Sequence, residues 1–150
     1  MEDVVLFGII VIVLVVIGLR VFYAVRTKAQ INILKPYKTL PSRQAYKLIQ
    51  LNSENPVFKI VDIRSAEEFK KGHLLHASHI DFKDKHFVEN LKQLPKEDIY
   101  LLYCANGTLT HKKEGNAMEI MMAIGFKKVV AIHKGYTAWK RNRLPVVFGE

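Results

Sequence analysis

A long uncharged apolar run at the amino end restricts what this chain can fold into more than any other feature. Val4 to Leu19 contains no charged residue, and after Arg20 the apolar character continues to Val25. About 22 residues rising ~1.5 Å each give a helix of roughly 33 Å, enough to cross a hydrocarbon core of about 30 Å. Acidic residues precede the run, where a cleaved signal peptide would be basic. We therefore predict that residues 1–27 form a permanent single-pass transmembrane anchor.

The charges that flank this run predict its orientation. No lysine or arginine precedes it, whereas five follow it closely: Arg20, Arg26, Lys28, Lys35 and Lys38. By the positive-inside rule, the short amino terminus lies outside the cell membrane and the rest of the chain faces the cytoplasm. The polar and basic residues 28–40 are predicted to be a juxtamembrane linker.

The remaining residues, 41–150, have the length of one modest domain. Short apolar strands are predicted at Val57–Asp62, Ile99–Tyr103 and Val129–Ile132. Helices are predicted between and around them: from Pro41, after a Ser65–Glu68 capping box, over Phe87–Leu94, over Ala117–Ile124 and over Tyr136–Asn142. Strands that alternate with helices at this spacing indicate an α/β domain with a parallel sheet covered by helices on both faces.

The chain is strongly basic, with a formal net charge of +9. Its lysines are scattered, which favours a solvated cationic surface next to anionic lipid. No compact basic stripe or nucleic-acid-reading motif is evident, so nucleic acid is not an expected partner. His73, His76 and His79 lack a supporting cluster of carboxylates or cysteines, and no metal site is predicted.

The candidate functional residue is Cys104, the chain's single cysteine. It ends an apolar strand and is followed by small and polar residues. At this end of a parallel sheet ligands commonly bind, and loop amides before a helix favour a thiolate. The alternative interpretation is a small apolar residue buried at a strand end.

Three sequence blocks resemble the signatures of the rhodanese-like domain family. The first runs from Asp62 to Ile80 and contains D-I-R, E-E-F and G-H. The second is Tyr103-Cys104-x-x-Gly107 with Gly125-Phe126 downstream, and the third is V-x-x-I-x-x-G-x-x-x-W from Val129 to Trp139, followed by Leu144-Pro145. The blocks occur in the family's order and cover roughly residues 40 to 148.

The resemblance implies a sulfurtransferase that needs no cofactor. Cys104 would carry sulfane sulfur as a persulfide, taken from thiosulfate or a small-molecule or protein persulfide donor and passed to a thiol or other thiophilic acceptor. The loop amides would hold the sulfur and substrate, and they belong to Ala105, Asn106, Gly107, Thr108, Leu109 and Thr110. Supporting charges would come from Asp62, Arg64, His111, Lys112 and Lys113.

Two departures from the family pattern keep an alternative open. No arginine occurs between Cys104 and Arg141, and the segment after the cysteine is longer than usual by about one helical turn. We expect an enlarged loop, with Asn116 capping the helix that follows. A catalytically weak or inactive binding module tethered to the membrane is therefore the second hypothesis. A cysteine phosphatase would need Cys-x5-Arg, and Thr110 occupies that arginine position.

Overall fold

The computed structural model describes residues 13–18, 38–112 and 115–149 of the 150-residue chain. The chain divides into two units, Met1–Ile33 and Leu34–Glu150. In the first unit, residues 13–18 are helical (α1), and most of the predicted anchor lies outside the described residues. Among the helices that are described, none has both the length and the apolar character to cross a membrane.

The second unit is built on a five-stranded sheet with the strand order β1-β5-β4-β2-β3. Every neighbouring pair of strands is parallel. The strands are β1 (Lys38–Leu40), β2 (Phe58–Asp62), β3 (Ala77–His79), β4 (Ile99–Tyr103) and β5 (Lys128–Ile132). The predicted parallel α/β sheet is confirmed, and its three central strands are those read from the sequence.

Strand β1 corrects the predicted boundary between linker and domain. Lys38–Leu40 lies within the predicted linker 28–40, yet it pairs with β5 at the edge of the sheet. The amide of His133 also donates to the carbonyl oxygen of Leu40 at 2.8 Å. A three-residue strand with two polar residues is too short to show alternation, and only its pairing partner defines it.

Five helices connect the strands: α2 (Ser42–Leu51), α3 (Ala66–Lys70), α4 (Phe87–Lys92), α5 (Ala117–Ala123) and α6 (Gly135–Arg141). The capping box is confirmed, because the Ser65 side chain accepts from the Glu68 amide and the Glu68 side chain accepts from the Ser65 amide. The predicted cap of α5 is also confirmed, since the Asn116 side chain accepts from the Glu119 amide. A π-helical turn, Thr108–Lys112, lies in the segment between β4 and α5, for which an enlarged loop is predicted.

Helices cover both faces of the sheet. On one face, alternate strand residues form a core with side chains of α4 and α5: Val61, Tyr100, Leu102, Val129, Ala131, Phe87, Leu91, Met118 and Met121. On the other face the ring of Tyr103 stacks with that of Tyr136 in α6. Helix α2 joins α6 on this side, through an edge-to-face contact of Tyr46 with Trp139. The central strand β4 is therefore buried from both sides, as its apolar sequence predicts.

The carboxyl ends of β2 and β4 lie side by side. Asp62 is paired in register with Tyr103, and the amide of Ile63 donates to the Tyr103 carbonyl at 3.0 Å. Because parallel strands end at the same edge, the residues that follow each strand meet there. Arg64 and Cys104 are thus brought to one edge of the sheet.

Candidate active site

Cys104 directly follows β4 and is almost completely buried, with 1% of the residue exposed. It belongs to the core cluster on the α4 and α5 face. The amide of Gly107 donates to the Cys104 Sγ atom at 3.1 Å. A donor at this distance stabilises a sulfur that carries negative charge. The site therefore combines an apolar surrounding with a directed amide.

The loop after Cys104 differs in detail from the predicted ring of amides. Gly107 has a φ of +88°, a left-handed conformation that lets the backbone turn its amide toward the sulfur. The amide of Thr108 donates to the Asn106 Oδ1 atom at 3.0 Å, so it closes a local turn instead of facing the sulfur. Of the amides in the described loop, that of Gly107 is the one seen to contact Cys104.

The Thr110 hydroxyl is a contact that the sequence did not indicate. It is fully buried, donates to the Gly107 carbonyl at 3.1 Å and lies 3.9 Å from the Cys104 Sγ atom. The sequence predicts only a backbone-amide role for this residue. The structure places its side chain at the sulfur, where it also fixes the carbonyl of the residue whose amide binds the sulfur.

The start of α6 holds the other side of the same loop. The amide of Tyr136 donates to the Cys104 carbonyl, and the amide and hydroxyl of Thr137 both donate to the Ala105 carbonyl, each at 2.8 Å. Gly135 has a φ of +53°, and a Cβ atom there would collide with the Cys104 carbonyl. The third family block thus places α6 against the cysteine loop, a role that its sequence alone does not reveal.

Asp62 and Arg64 form a buried ion pair next to this loop. The Arg64 Nε atom lies 3.0 Å from both Asp62 carboxylate oxygens, and its Nη2 donates to the Gly72 carbonyl at 2.8 Å. The guanidinium carbon also lies 3.9 Å from the centre of the Tyr136 ring. Burial lowers the pKa of Arg64, but the Asp62 carboxylate outweighs it, so the pKa stays above its ordinary value. The ion pair therefore connects three parts of the fold: strand β2, the carboxyl end of α3, and helix α6.

Tyr103 and two histidines form hydrogen bonds around the Asp62–Arg64 ion pair. The Tyr103 hydroxyl accepts from the Leu74 amide at 3.1 Å, and burial together with Asp62 raises the pKa of Tyr103 far above its ordinary range. His79 Nε2 lies 2.8 Å from the Arg64 carbonyl, and His73 Nδ1 lies 3.0 Å from the Phe69 carbonyl. Each of these two histidine rings therefore binds a backbone carbonyl group and helps to fix the segment that carries it. In the described part of the chain, no three metal-ligating side chains are grouped to hold an ion.

Two cavities flank the loop. The loop-side cavity, of about 360 Å³, is lined by Ile63, Arg64, Ser65, Glu68, Asp81, Lys83, Ala105, Asn106, Thr108 and Leu109. The helix-side cavity, of about 420 Å³, is lined by Arg64, Glu68, Lys71, Ala105, Tyr136, Thr137 and Lys140. Arg64, Glu68 and Ala105 line both cavities, and Cys104 lines neither. The predicted supporting side chains of His111, Lys112 and Lys113 lie outside the described part of the chain.

Comparison with known proteins identifies the family of the chain. The family model of the rhodanese-like domain matches residues 44–142. The chain belongs to the rhodanese-like domain family. It is 29% identical over 131 residues to an uncharacterised protein of Buchnera aphidicola, covering 87% of this chain and 82% of that protein.

The chain is also similar to two further proteins. Thiosulfate sulfurtransferase 18 of Arabidopsis thaliana is 29% identical over 99 residues, which cover 57% of this chain and 69% of the relative. The crystal structure of a rhodanese-like domain protein from Staphylococcus aureus superimposes with a TM-score of 0.55 at 26% identity, covering 68% of this chain and 90% of that one. The rhodanese-like fold is thereby confirmed.

Proposed function

We propose that this protein is a sulfurtransferase that carries sulfane sulfur on Cys104. The observation that carries the proposal is the Gly107 amide directed at the Cys104 Sγ atom, at the carboxyl end of the central strand. Membership in the rhodanese-like family and similarity to a thiosulfate sulfurtransferase support the same chemistry. The Gly107 amide would donate a charge-assisted hydrogen bond to the Cys104 thiolate that starts the reaction.

The transfer takes place in two displacements. The Cys104 thiolate attacks the outer sulfur of thiosulfate, a new S–S bond forms, and sulfite leaves with the electron pair of the broken S–S bond. An acceptor thiolate then attacks the terminal sulfur of the Cys104 persulfide, and the Cys104 thiolate is the leaving group. No oxidant is needed, because the transferred sulfur changes partner within thiol–persulfide exchange. A persulfide donor would load Cys104 in the same way.

Intact-protein mass tests the loading step. The full chain, in a neutral detergent, is incubated with thiosulfate and separately with an organic persulfide. We expect a mass gain of one sulfur atom that a reducing thiol removes, and no gain in Cys104→Ser. Because Cys104 is the chain's one cysteine, the control removes every thiol. Absence of the gain with both donors would reject the proposal.

One observation favours the second candidate, a binding module without efficient turnover. Cys104 is 1% exposed, and a nucleophile must meet its substrate. Partner binding through the surface around the two cavities would need no reactive thiol. The two candidates differ in one measurable property: the sulfurtransferase loads sulfur on Cys104 in the folded state, and the binding module does not.

We also propose that residues 1–27 anchor the protein in the cell membrane, with the domain on the cytoplasmic side. Residues 13–18 are helical, and the large side chains from Val13 to Ile17 are 46–62% exposed, an apolar surface suited to lipid. The charges that follow the run support the orientation. Because Cys104 is buried, the test places a cysteine at the exposed position 47 in a Cys104→Ser background. A membrane-impermeant thiol reagent should leave Lys47→Cys unlabelled in intact cells and label it after lysis. Labelling in intact cells would contradict the orientation.

A further inference from the structure

Basic residues that are scattered along the sequence gather on one face of the folded domain. This face, called here the α2–α6 face, is formed by the outer sides of α2 and α6, which lie on the same side of the sheet. Residues 42–51 and 134–149 contain no acidic residue. The exposed basic side chains of the two helices are those of Arg43, Lys47, Lys140 and Arg141, and the exposed Lys134 and Arg143 flank α6.

Polar contacts between the two helices make this face one continuous surface. The Ser42 hydroxyl donates to the Ala138 carbonyl at 3.3 Å, and the Asn142 side-chain amide donates to the Ser42 hydroxyl at 2.8 Å. The Arg43 Nε atom donates to the Asn142 Oδ1 atom at 3.2 Å, a neutral partner that leaves the arginine charge in place. Lys47 lies one turn after Arg43, on the same exposed side of α2.

Carboxylates do not balance the charge of this face. In the described part of the chain, the ion pairs join Arg64 to Asp62 and Lys127 to Glu97, and none involves an exposed basic residue of the α2–α6 face. Glu68 shares the helix-side cavity with Lys140, but its carboxylate is engaged by Ser65 at the start of α3. By contrast, residues 81–98, which include α4 on the other side of the sheet, contain five acidic and four basic residues. The domain therefore has one strongly basic side.

An exposed aromatic ring borders the basic face. Phe148 is 76% exposed, although the amides of the residues on either side of it are bonded to backbone carbonyls at 2.9 and 3.2 Å. Its ring and the Tyr136 hydroxyl both lie beside Gly72. Lys140 follows Tyr136 by one turn of α6. A fixed backbone thus presents an apolar ring to solvent at the edge of the α2–α6 face.

We infer that the α2–α6 face docks on an anionic lipid surface, with its basic side chains against the headgroups and Phe148 entering the interface. Each lysine or arginine close to such a surface is attracted by its negative potential. Basic residues combined with a protruding aromatic ring are typical of surfaces that bind the membrane interface, so the face favours lipid over an acidic protein. The inference is independent of sulfur transfer. It also goes beyond the proposed anchor, because an anchor attaches the chain without selecting which side of the domain meets the lipid.

Two labelled positions test which side of the domain meets the lipid. Gln50→Cys lies on the exposed side of α2 and Asn90→Cys on the exposed side of α4, each in a Cys104→Ser background and carrying a fluorophore. The full chain is reconstituted into vesicles of phosphatidylcholine with about 30% phosphatidylglycerol, with a quencher on the lipid headgroups. We expect severalfold stronger quenching at position 50 than at position 90. The difference should disappear in vesicles of phosphatidylcholine alone and at high salt.

Substitutions on the two sides of the sheet measure the contribution of the charges. Combining Lys47→Gln with Arg141→Gln should lower the ratio of docked to undocked domain by roughly fivefold for each charge removed. The matched control combines Lys85→Gln with Lys92→Gln, which makes the same change of net charge in and just before α4. This control should leave the quenching at position 50 unchanged. Phe148→Ala should lower the docked ratio by roughly threefold to tenfold.

Equal quenching of the two positions in anionic vesicles would overturn the inference and exclude lipid as the occupant of this face. A difference that persists in neutral vesicles, or equal effects of the two pairs of lysine and arginine substitutions, would also overturn it. Flotation separates docking from the anchor, because an anchored chain floats with neutral vesicles whether or not the face docks. Flotation with anionic vesicles alone, together with stronger quenching at position 50, would support the docking face and reject the anchor.

Discussion

The close approach of α6 to the cysteine loop makes Gly135→Ala the most informative single substitution in this chain. An alanine Cβ would lie 3.0 Å from the carbonyl carbons of Cys104 and Ala105 and would overlap the Cys104 oxygen outright. All of these atoms are backbone, so no flexible side chain can give way. The substitution must therefore move α6 or the loop that carries the nucleophile.

The loss of stability expected for Gly135→Ala has two contributions. Alanine at a φ of +53° is strained by about 1–2 kcal/mol. Displacing α6 also weakens the amide bonds from Tyr136 and Thr137 to the loop carbonyls, each contributing about 1 kcal/mol. We expect Gly135→Ala to lower the free energy of unfolding by roughly 3–4 kcal/mol, and to slow the sulfur loading of Cys104 in the folded protein.

Gly115→Ala is the control that isolates the collision. Gly115 has a comparable φ of +67°, and no atom of the described residues lies within 4 Å of the position that an alanine methyl group would take there. Its cost should be the backbone strain alone, about 1 kcal/mol. Denaturant unfolding followed by the fluorescence of Trp139, the single and buried tryptophan, measures both variants. Equal destabilisation by the two substitutions would refute the tight packing of α6 on the cysteine loop.

Three further outcomes follow from the buried charges and rings. Asp62→Asn leaves the Arg64 charge buried without its carboxylate and should cost about 3–5 kcal/mol in denaturant unfolding, whereas replacing both residues by apolar ones should cost less. Tyr136→Leu removes the ring stacked on Arg64 and should cost roughly 1–2 kcal/mol, whereas Tyr136→Phe should keep most of that stability. Burial raises the pKa of Tyr100 to about 12, above its value of about 10 in an unfolded chain, so its contribution to stability is complete below about pH 10 and is lost as the pH rises toward 12. Tyr100→Phe should flatten the alkaline decline in unfolding free energy, and an unchanged decline would contradict this assignment.

The sequence predicted most of the fold because its signals are local. The apolar run Ile99–Tyr103, the Ser65–Glu68 capping box and the Asn116 cap each depend on neighbouring residues, and the structure confirms all three. Strand β1 was missed because its three residues are defined only by pairing with a strand some 90 positions away, Lys38 opposite Val130. Long-range pairing of that kind leaves no periodic trace in so short a segment.

In the site, too, the features set by neighbouring residues could be predicted from the sequence, and the features set by distant residues could not. The position of Cys104 and the turn at Gly107 follow from the strand end and the glycine. The Thr110 hydroxyl, by contrast, lies near the sulfur because the segment after β4 makes a π-helical turn, whose geometry no residue pattern indicates. The contacts of Tyr136 and Thr137 join segments more than 30 residues apart, and only the folded sheet brings them together.

Cys104 is both part of the packed core and the candidate nucleophile of this domain. A thiol that is 1% exposed packs as a small apolar residue, yet the Gly107 amide points at its sulfur from a backbone that must adopt a left-handed turn to do so. A residue that only filled the core would gain little from this turn, because a neutral sulfur is a weak acceptor. An anionic sulfur gains a charge-assisted hydrogen bond, in a surrounding of low dielectric where such a bond is stronger. The Gly107 amide is therefore a contact that a charged sulfur would use better than a neutral one, and it would offset part of the cost of burying that charge.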